Sequence, residues 1–293
     1  MTGALLPIST EHPDAQAPGV VTVTLEQPGR PVVVLDRALI ERLDATLSEV
    51  PESATGLILA SASERVFVAG ADLKEIQDAD DEQLHRYLEF GARVFMRLAE
   101  MPFPTVAAIN GASLGGGLEL AMHCDGLVAA PGVKPYPVGL PEAGLNICPG
   151  WGGTQMLPAR VDPATAIAAT ASGKPMLFDD ARDAGLFDAV AESQDGLMDA
   201  ARAWLAQAGR PDRDGAPSRW IGRTGSTTLA GLDGVRRDLP DTKAARAVAA
   251  CVDEGLSGGW QAGCKAERDR LVALRHSPEA LDSIAAFFER SKK

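Results

Sequence analysis

The residues best equipped for chemistry lie in three separated stretches. The most distinctive is Gly111-Ala-Ser-Leu-Gly-Gly-Gly-Leu-Glu-Leu-Ala-Met122, where Gly115, Gly116 and Gly117 stand between a strand pattern and a helix pattern. Glycine lets a backbone approach a ligand closely at any φ. The first amides of a helix have no internal partner, so an amide placed here suits negative charge developing on an oxygen. Glu119 follows Gly116 by three residues, which sets both on one face of the helix start. The stretch lacks the Lys-Ser/Thr ending of a nucleoside-triphosphate loop and the G-x-G-x-x-G spacing of a dinucleotide loop. Close helix–strand packing, with Glu119 as a solvated first-turn charge, is the plainer reading of the same residues.

The second stretch, Phe67-Val-Ala-Gly-Ala-Asp-Leu-Lys74, is a small-residue loop after a strand pattern. Ala71 has almost no side chain, so its amide is accessible, and Lys74 could meet a phosphate. An ordinary helix start capped by Asp72 also fits. The third runs Gly139-Leu-Pro-Glu142-Ala-Gly-Leu-Asn-Ile-Cys-Pro-Gly-Trp-Gly-Gly-Thr154. A carboxylate held among apolar residues has a raised pKa and can act as an acid. A surface glutamate in a loop is the alternative.

These stretches need elements to hold them. Val20–Leu25 alternates apolar and polar residues and residues 31–35 are apolar and β-branched, so both are predicted strands, with a turn at Gln27-Pro28-Gly29. Leu39, Ile40, Leu43 and Leu47 have helical spacing, and residues 56–60 read as a short strand. A long amphipathic helix fits residues 82–100, with Leu84, Leu88, Val94, Phe95 and Leu98 on its buried side, stopped by Pro102 and Pro104. Thr105–Ile109 is a strand, residues 110–117 a glycine-rich loop, residues 118–122 a helix start and residues 127–130 a strand. The alternation argues for an α/β class. After about residue 195 the patterns are helical, over 200–208, 243–254, 261–275 and 278–290, with an irregular Gly-, Pro-, Arg- and Asp-rich connection over 210–240.

Bulk properties bound the function. The chain has 293 residues, long enough for a sizeable core. A net charge of −12 argues against a nucleic-acid binder, which needs a basic face. No run of apolar residues is long enough for a membrane span, and residues 1–16 lack a secretion-signal pattern. Cys124, Cys148, Cys251 and Cys264 form no CxxC pair and are expected as reduced thiols in a cytoplasmic protein. His85, His123 and His276 are scattered, and no metal site is expected.

Together, in this order and spacing, the three stretches resemble the crotonase (enoyl-CoA hydratase/isomerase) superfamily over about residues 20–190. The details are similar to the hydratase part of multifunctional fatty-acid β-oxidation proteins, as at Pro102-Phe-Pro-Thr-Val-Ala-Ala-Ile-Asn110 and in the ending Ala285-Ala-Phe-Phe-Glu-Arg-Ser-Lys-Lys293. The resemblance implies an α/β fold: a crotonase-like spiral of ββα units, with a helical C-terminal part that builds trimers, two of which often stack as a hexamer. It divides the chain into a flexible tail (1–18), a spiral core with the active site (19–200) and a helical part for oligomerisation and active-site cover (201–293).

By the same resemblance, Ala71 and Gly116 match two oxyanion-hole amides, and Glu119 and Glu142 match the two catalytic glutamates of the hydratases. Ala69, Ala71, Asp72, Leu73 and Lys74, with Gly115, Gly116, Pro141 and Gly150, are the expected contacts of an acyl-CoA substrate. No separate cofactor is expected, since coenzyme A is part of the substrate. Having both glutamates favours hydration of a 2-enoyl-CoA. A double-bond isomerase and a silent acyl-CoA-binding scaffold are the alternatives. The chain departs from the family at residues 32–35, Val-Val-Val-Leu in place of an Asn-x-Leu element, and the 210–240 connection matches nothing in it. No dehydrogenase domain follows, so such an activity is expected on another chain.

Overall fold

The computed structural model describes residues 4–11 and 19–291. The chain opens with strands β1 (Ile8–Glu11) and β2 (Val20–Leu25), then helix α1 (Arg37–Ser48), whose N-terminus is capped by Asp36 accepting from Leu39 N–H. Strands β3 (Gly56–Ser61) and β4 (Val66–Val68) lead to α2 (Leu73–Asp78), capped by Asp72, and α3 (Asp81–Glu100), which starts in a reciprocal capping box of Asp80 and Gln83. Next come β5 (Thr105–Ile109), β6 (Ala112–Leu114), α4 (Gly116–Met122), β7 (Gly126–Ala129) and β8 (Pro137–Gly139). A 3-10 turn at Glu142–Leu145 precedes α5 (Gly153–Met156), α6 (Pro163–Ser172), β9 (Met176–Leu177), α7 (Phe178–Asp183) and β10 (Ala189–Val190). Helices α8 (Leu197–Gln207), α9 (Gly225–Val235), α10 (Lys243–Gly258), α11 (Trp260–Leu274) and α12 (Pro278–Ser291) follow.

The strands sort into two sheets by alternation. One has the order β1-β2-β3-β5-β7-β10, parallel apart from the antiparallel β1–β2 pair; the other has the order β4-β6-β8-β9, with β4, β6 and β8 parallel. The successive pairs β3–β4, β5–β6 and β7–β8 each give one strand to each sheet before the chain turns helical, which makes a spiral of ββα units. Central strands β5 and β7 are buried along their whole length, as parallel strands covered on both faces must be. Helix α8 covers one face of the larger sheet, packing Leu197, Ala201 and Leu205 on Ile58, Val106 and Val128. The main core fills the other face and includes α1 and α3. Among the described residues no helix is long and apolar enough to cross a membrane.

Phe95 lies at the centre of that core, fully buried, with its ring 5.1 Å from Trp151 and 5.8 Å from His123. Truncation to Ala there should cost about 3–5 kcal/mol, measured by urea unfolding. A cost well under 1 kcal/mol would show that the aromatic cluster beneath the site does not hold it.

Several expectations need correction. Residues 31–35 are not a regular strand: Leu35 makes one isolated bridge with Ala71, and Gly70, at φ 116°, bends the facing segment out of a regular ladder. Part of the predicted tail is structured, since residues 8–11 are β1 and Leu6 is buried with its N–H on Thr46 Oγ1 at 2.8 Å; residues 1–3 and 12–18 lie outside the described residues, as do 292–293. The 110–117 loop contains β6. The 210–240 connection contains a 3-10 turn (Ile221–Arg223) and α9, held by Ile221 and Leu232 against Ile167 and Val252.

Candidate active site

The three chemistry-bearing stretches follow three adjacent strands of the small sheet. β4 ends at Val68 and runs into Ala69-Gly70-Ala71, β6 ends at Leu114 before Gly115-Gly116, and β8 ends at Gly139 before Pro141-Glu142. Because β4, β6 and β8 are parallel neighbours, their carboxyl ends lie side by side, where α/β sheets place their ligands. Stretches separated by dozens of residues in the sequence are thereby brought together.

They open on one cavity of about 350 Å³. It is lined by Ala69, Ala71, Asp72, Leu73, Gly115, Gly116, Glu119, Pro141, Glu142 and Gly150, so both glutamates and both residues expected to offer amides meet there. Apolar side chains make the rest of the wall, including Val32, Val34, Ile76, Leu88, Trp151 and Leu271, with Phe287 and Phe288 from α12. Lys74 is the exception: it is exposed and lines a neighbouring polar cavity with Arg37 and Arg86. The reason is local. Asp72 caps α2, taking Lys74 N–H at 2.9 Å, and the helix then carries the Lys74 side chain outward. The cation that does line the main cavity is Arg30, which the motif reading missed; it pairs with Asp36 at 3.1 Å and Asp72 at 3.4 Å.

Among the described residues neither Ala71 N–H nor Gly116 N–H has a backbone partner, whereas Gly115 N–H donates to Gly139 O at 2.9 Å. Gly115 has φ 53°, and a Cβ there would fall 2.5 Å from Glu142 Oε1. Only glycine permits both the turn and the close approach of the carboxyl.

The two acids differ in their surroundings. Glu119 is buried on α4, and its Oε1 accepts Trp151 N–H and Gly153 N–H, each at 2.8 Å. Glu142 Oε2 is buried with no hydrogen-bond partner among the described residues. Burial raises the pKa of both carboxyls, Glu142 to about 8. Glu119 is raised further by the negative charges of Glu267 and Glu142, and lowered by its two amides. Glu267, on α11, also missed by motif reading, is buried and pushed up to about 7 chiefly by desolvation.

All three acids hold a proton more tightly in the folded chain than in the unfolded one. Stability must then fall as pH rises from near the ordinary 4.5 through about 8. Glu142→Gln has no charge to bury, so its urea midpoint should match the parent at pH 4 and exceed it at pH 9. Identical midpoints at both pH values would contradict this.

Nearby, His123 is buried with Nδ1 2.8 Å from Glu119 O, and its pKa is lowered to about 4 by burial, so it stands neutral behind α4. All four cysteines are free and buried.

A family model described as enoyl-CoA hydratase/isomerase matches residues 15–213. The fatty acid oxidation complex subunit alpha of Aliivibrio fischeri is 29% identical over 279 residues, 92% of this chain and 40% of that protein. The chain thus spans about 40% of the length of that relative. An enoyl-CoA hydratase from Bacillus anthracis is similar in structure, with 26% identity, a TM-score of 0.60, and 97% of this chain and 96% of that one covered. The human mitochondrial delta3-delta2-enoyl-CoA isomerase shares the fold at 23% identity and a TM-score of 0.67, with 97% and 98% covered.

Proposed function

The chain belongs to the enoyl-CoA hydratase/isomerase family, and from that premise we propose that it adds water across the 2,3 double bond of a 2-enoyl-CoA thioester, giving a 3-hydroxyacyl-CoA in fatty-acid oxidation. The observation that carries this reading is that two carboxyl groups, Glu119 and Glu142, line the same cavity as Ala71 and Gly116. One carboxylate is enough to shuttle a proton between carbons; adding water calls for a base toward the water and an acid toward carbon.

Water attacks C3 and its oxygen bonds there. The π electrons move through C2 onto the thioester oxygen, forming an enolate. The amides of Ala71 and Gly116 stabilise that oxygen, and one such donor is worth about 10²–10³ in rate. Glu119 takes the proton lost by the water, and Glu142 gives a proton to C2. The pair keeps its net charge, and exchange with solvent returns each proton to its starting place. The unequal surroundings support these roles. Two amides on Glu119 Oε1 favour its anion, and among the described residues nothing donates to Glu142 Oε2. Hydration in this direction requires that, when the pair holds one proton, Glu142 carries it.

Purified protein mixed with crotonyl-CoA should bleach the conjugated absorbance as 3-hydroxybutyryl-CoA forms. Unchanged absorbance together with conversion of a 3-enoyl-CoA would replace hydration with isomerisation. Inertness toward both would leave a binding protein.

A further inference from the structure

The loop that holds Glu119 is held by a second acid. Four successive amides, from Trp151 to Thr154, alternate between two carboxylates. Trp151 N–H and Gly153 N–H donate to Glu119 Oε1. Gly152 N–H and Thr154 N–H donate to Glu267 at 2.5 and 2.7 Å, and Thr154 Oγ1 donates to it at 2.5 Å. The alternation comes from Gly152, whose φ of 93° turns successive N–H groups to opposite sides. A Cβ at that position would lie 2.5 Å from the Trp260 ring.

Glu267 does not line the cavity. It is fully buried and makes no ion pair among the described residues. A buried carboxylate without a cation is costly unless several donors satisfy it, and here every donor comes from the loop that also holds Glu119. We propose that Glu267 is a positioning residue: by holding Gly152 and Thr154 it aims the Trp151 and Gly153 amides at the Glu119 carboxylate. Helix α11, from the C-terminal part of the chain, thereby sets the geometry of an acid presented by α4. The kinetic consequence rests on the hydration reading; the structural one does not.

Glu267→Gln keeps the shape but offers a single acceptor oxygen and turns an NH2 group toward an N–H, so one of the two amides loses its partner. With crotonyl-CoA, kcat should fall about 10- to 100-fold, because a small misplacement of a reacting group is enough for that. KM should stay within about threefold, since no substrate contact is lost. Hydrogen exchange resolved to single amides should quicken at Trp151 and Gly153, which Glu267 does not touch. A purely local structural role would quicken Gly152 and Thr154 alone, and that result, or kcat unchanged in an active protein, overturns the proposal. If the parent protein does not turn over crotonyl-CoA, hydration fails as the function, and the exchange at Trp151 and Gly153 still decides the role of Glu267. Should Glu267→Gln not fold, Thr154→Val removes the hydroxyl, which donates to Glu267 and accepts from Gln155 Nε2, and keeps both loop amides on Glu267; faster exchange at Trp151 and Gly153 is again expected, and unchanged exchange there counts against the proposal.

Discussion

If the chain hydrates 2-enoyl-CoA as proposed, Glu119→Gln should leave it folded and able to hold an acyl-CoA while lowering turnover of crotonyl-CoA by about 10²–10⁴, the usual contribution of a positioned acid or base. The carboxamide is a clean replacement because both amide donors fall on one oxygen, Oε1, which a glutamine oxygen can reproduce. What would disappear is the proposed ability to take a proton from water. Removing a carboxylate that burial and two neighbouring acids destabilise should also raise the urea midpoint above neutral pH. A more stable protein that binds butyryl-CoA normally and is nearly inactive is the expected combination. Turnover within tenfold of the parent would remove Glu119 from the chemistry.

Gly115→Ala is expected to lower kcat by about 10² through a different route. The added methyl would lie 2.5 Å from Glu142 Oε1 and 3.2 Å from its carboxyl carbon, at a φ of 53° that alanine resists. Glu142 must swing away, and the turn that presents Gly116 N–H is strained with it. Steady-state kinetics on crotonyl-CoA, with circular dichroism to check folding, would show the effect. A folded Gly115→Ala protein with unchanged kcat would mean that the Glu142 position is not critical to the reaction.

Much of the site was legible because its residues announce themselves locally. The glycine run before Glu119, the small-residue loop at Ala71 and the apolar setting of Glu142 are each visible within a dozen residues. Helices α1 and α3 and strand β2 carried clear periodicity, and β3 and β5 stood out as short, mostly apolar segments. What escaped notice depends on distance. Strands β4, β6 and β8 have three residues each, too short to show a period of two, yet their parallel pairing is what brings the stretches together. Glu267 lies in Cys264-Lys-Ala-Glu-Arg-Asp-Arg270, which reads as a charged, solvated helix face. Only the loop amides folded against it explain why that acid is buried. Arg30 and Lys74 show the converse: a lysine at a suggestive position points elsewhere, and an arginine in a turn lines the cavity.

The departure at Val32 and Val34 also has a consequence in the structure. Both side chains line the cavity and add apolar wall beside Arg30 and Ala71. Together with Leu88, Leu271, Phe287 and Phe288 they make a surface suited to a hydrocarbon chain.

The proposed hydration turns on two main-chain donors polarising one thioester carbonyl between two acids. Butyryl-CoA has no double bond to hydrate, so it can occupy the parent protein unchanged. With a ¹³C label at its carbonyl carbon, difference infrared spectroscopy isolates that single C=O stretch. A stretch shifted to lower frequency than in water is predicted; a stretch at or above the aqueous frequency, with binding confirmed by calorimetry, would contradict the account.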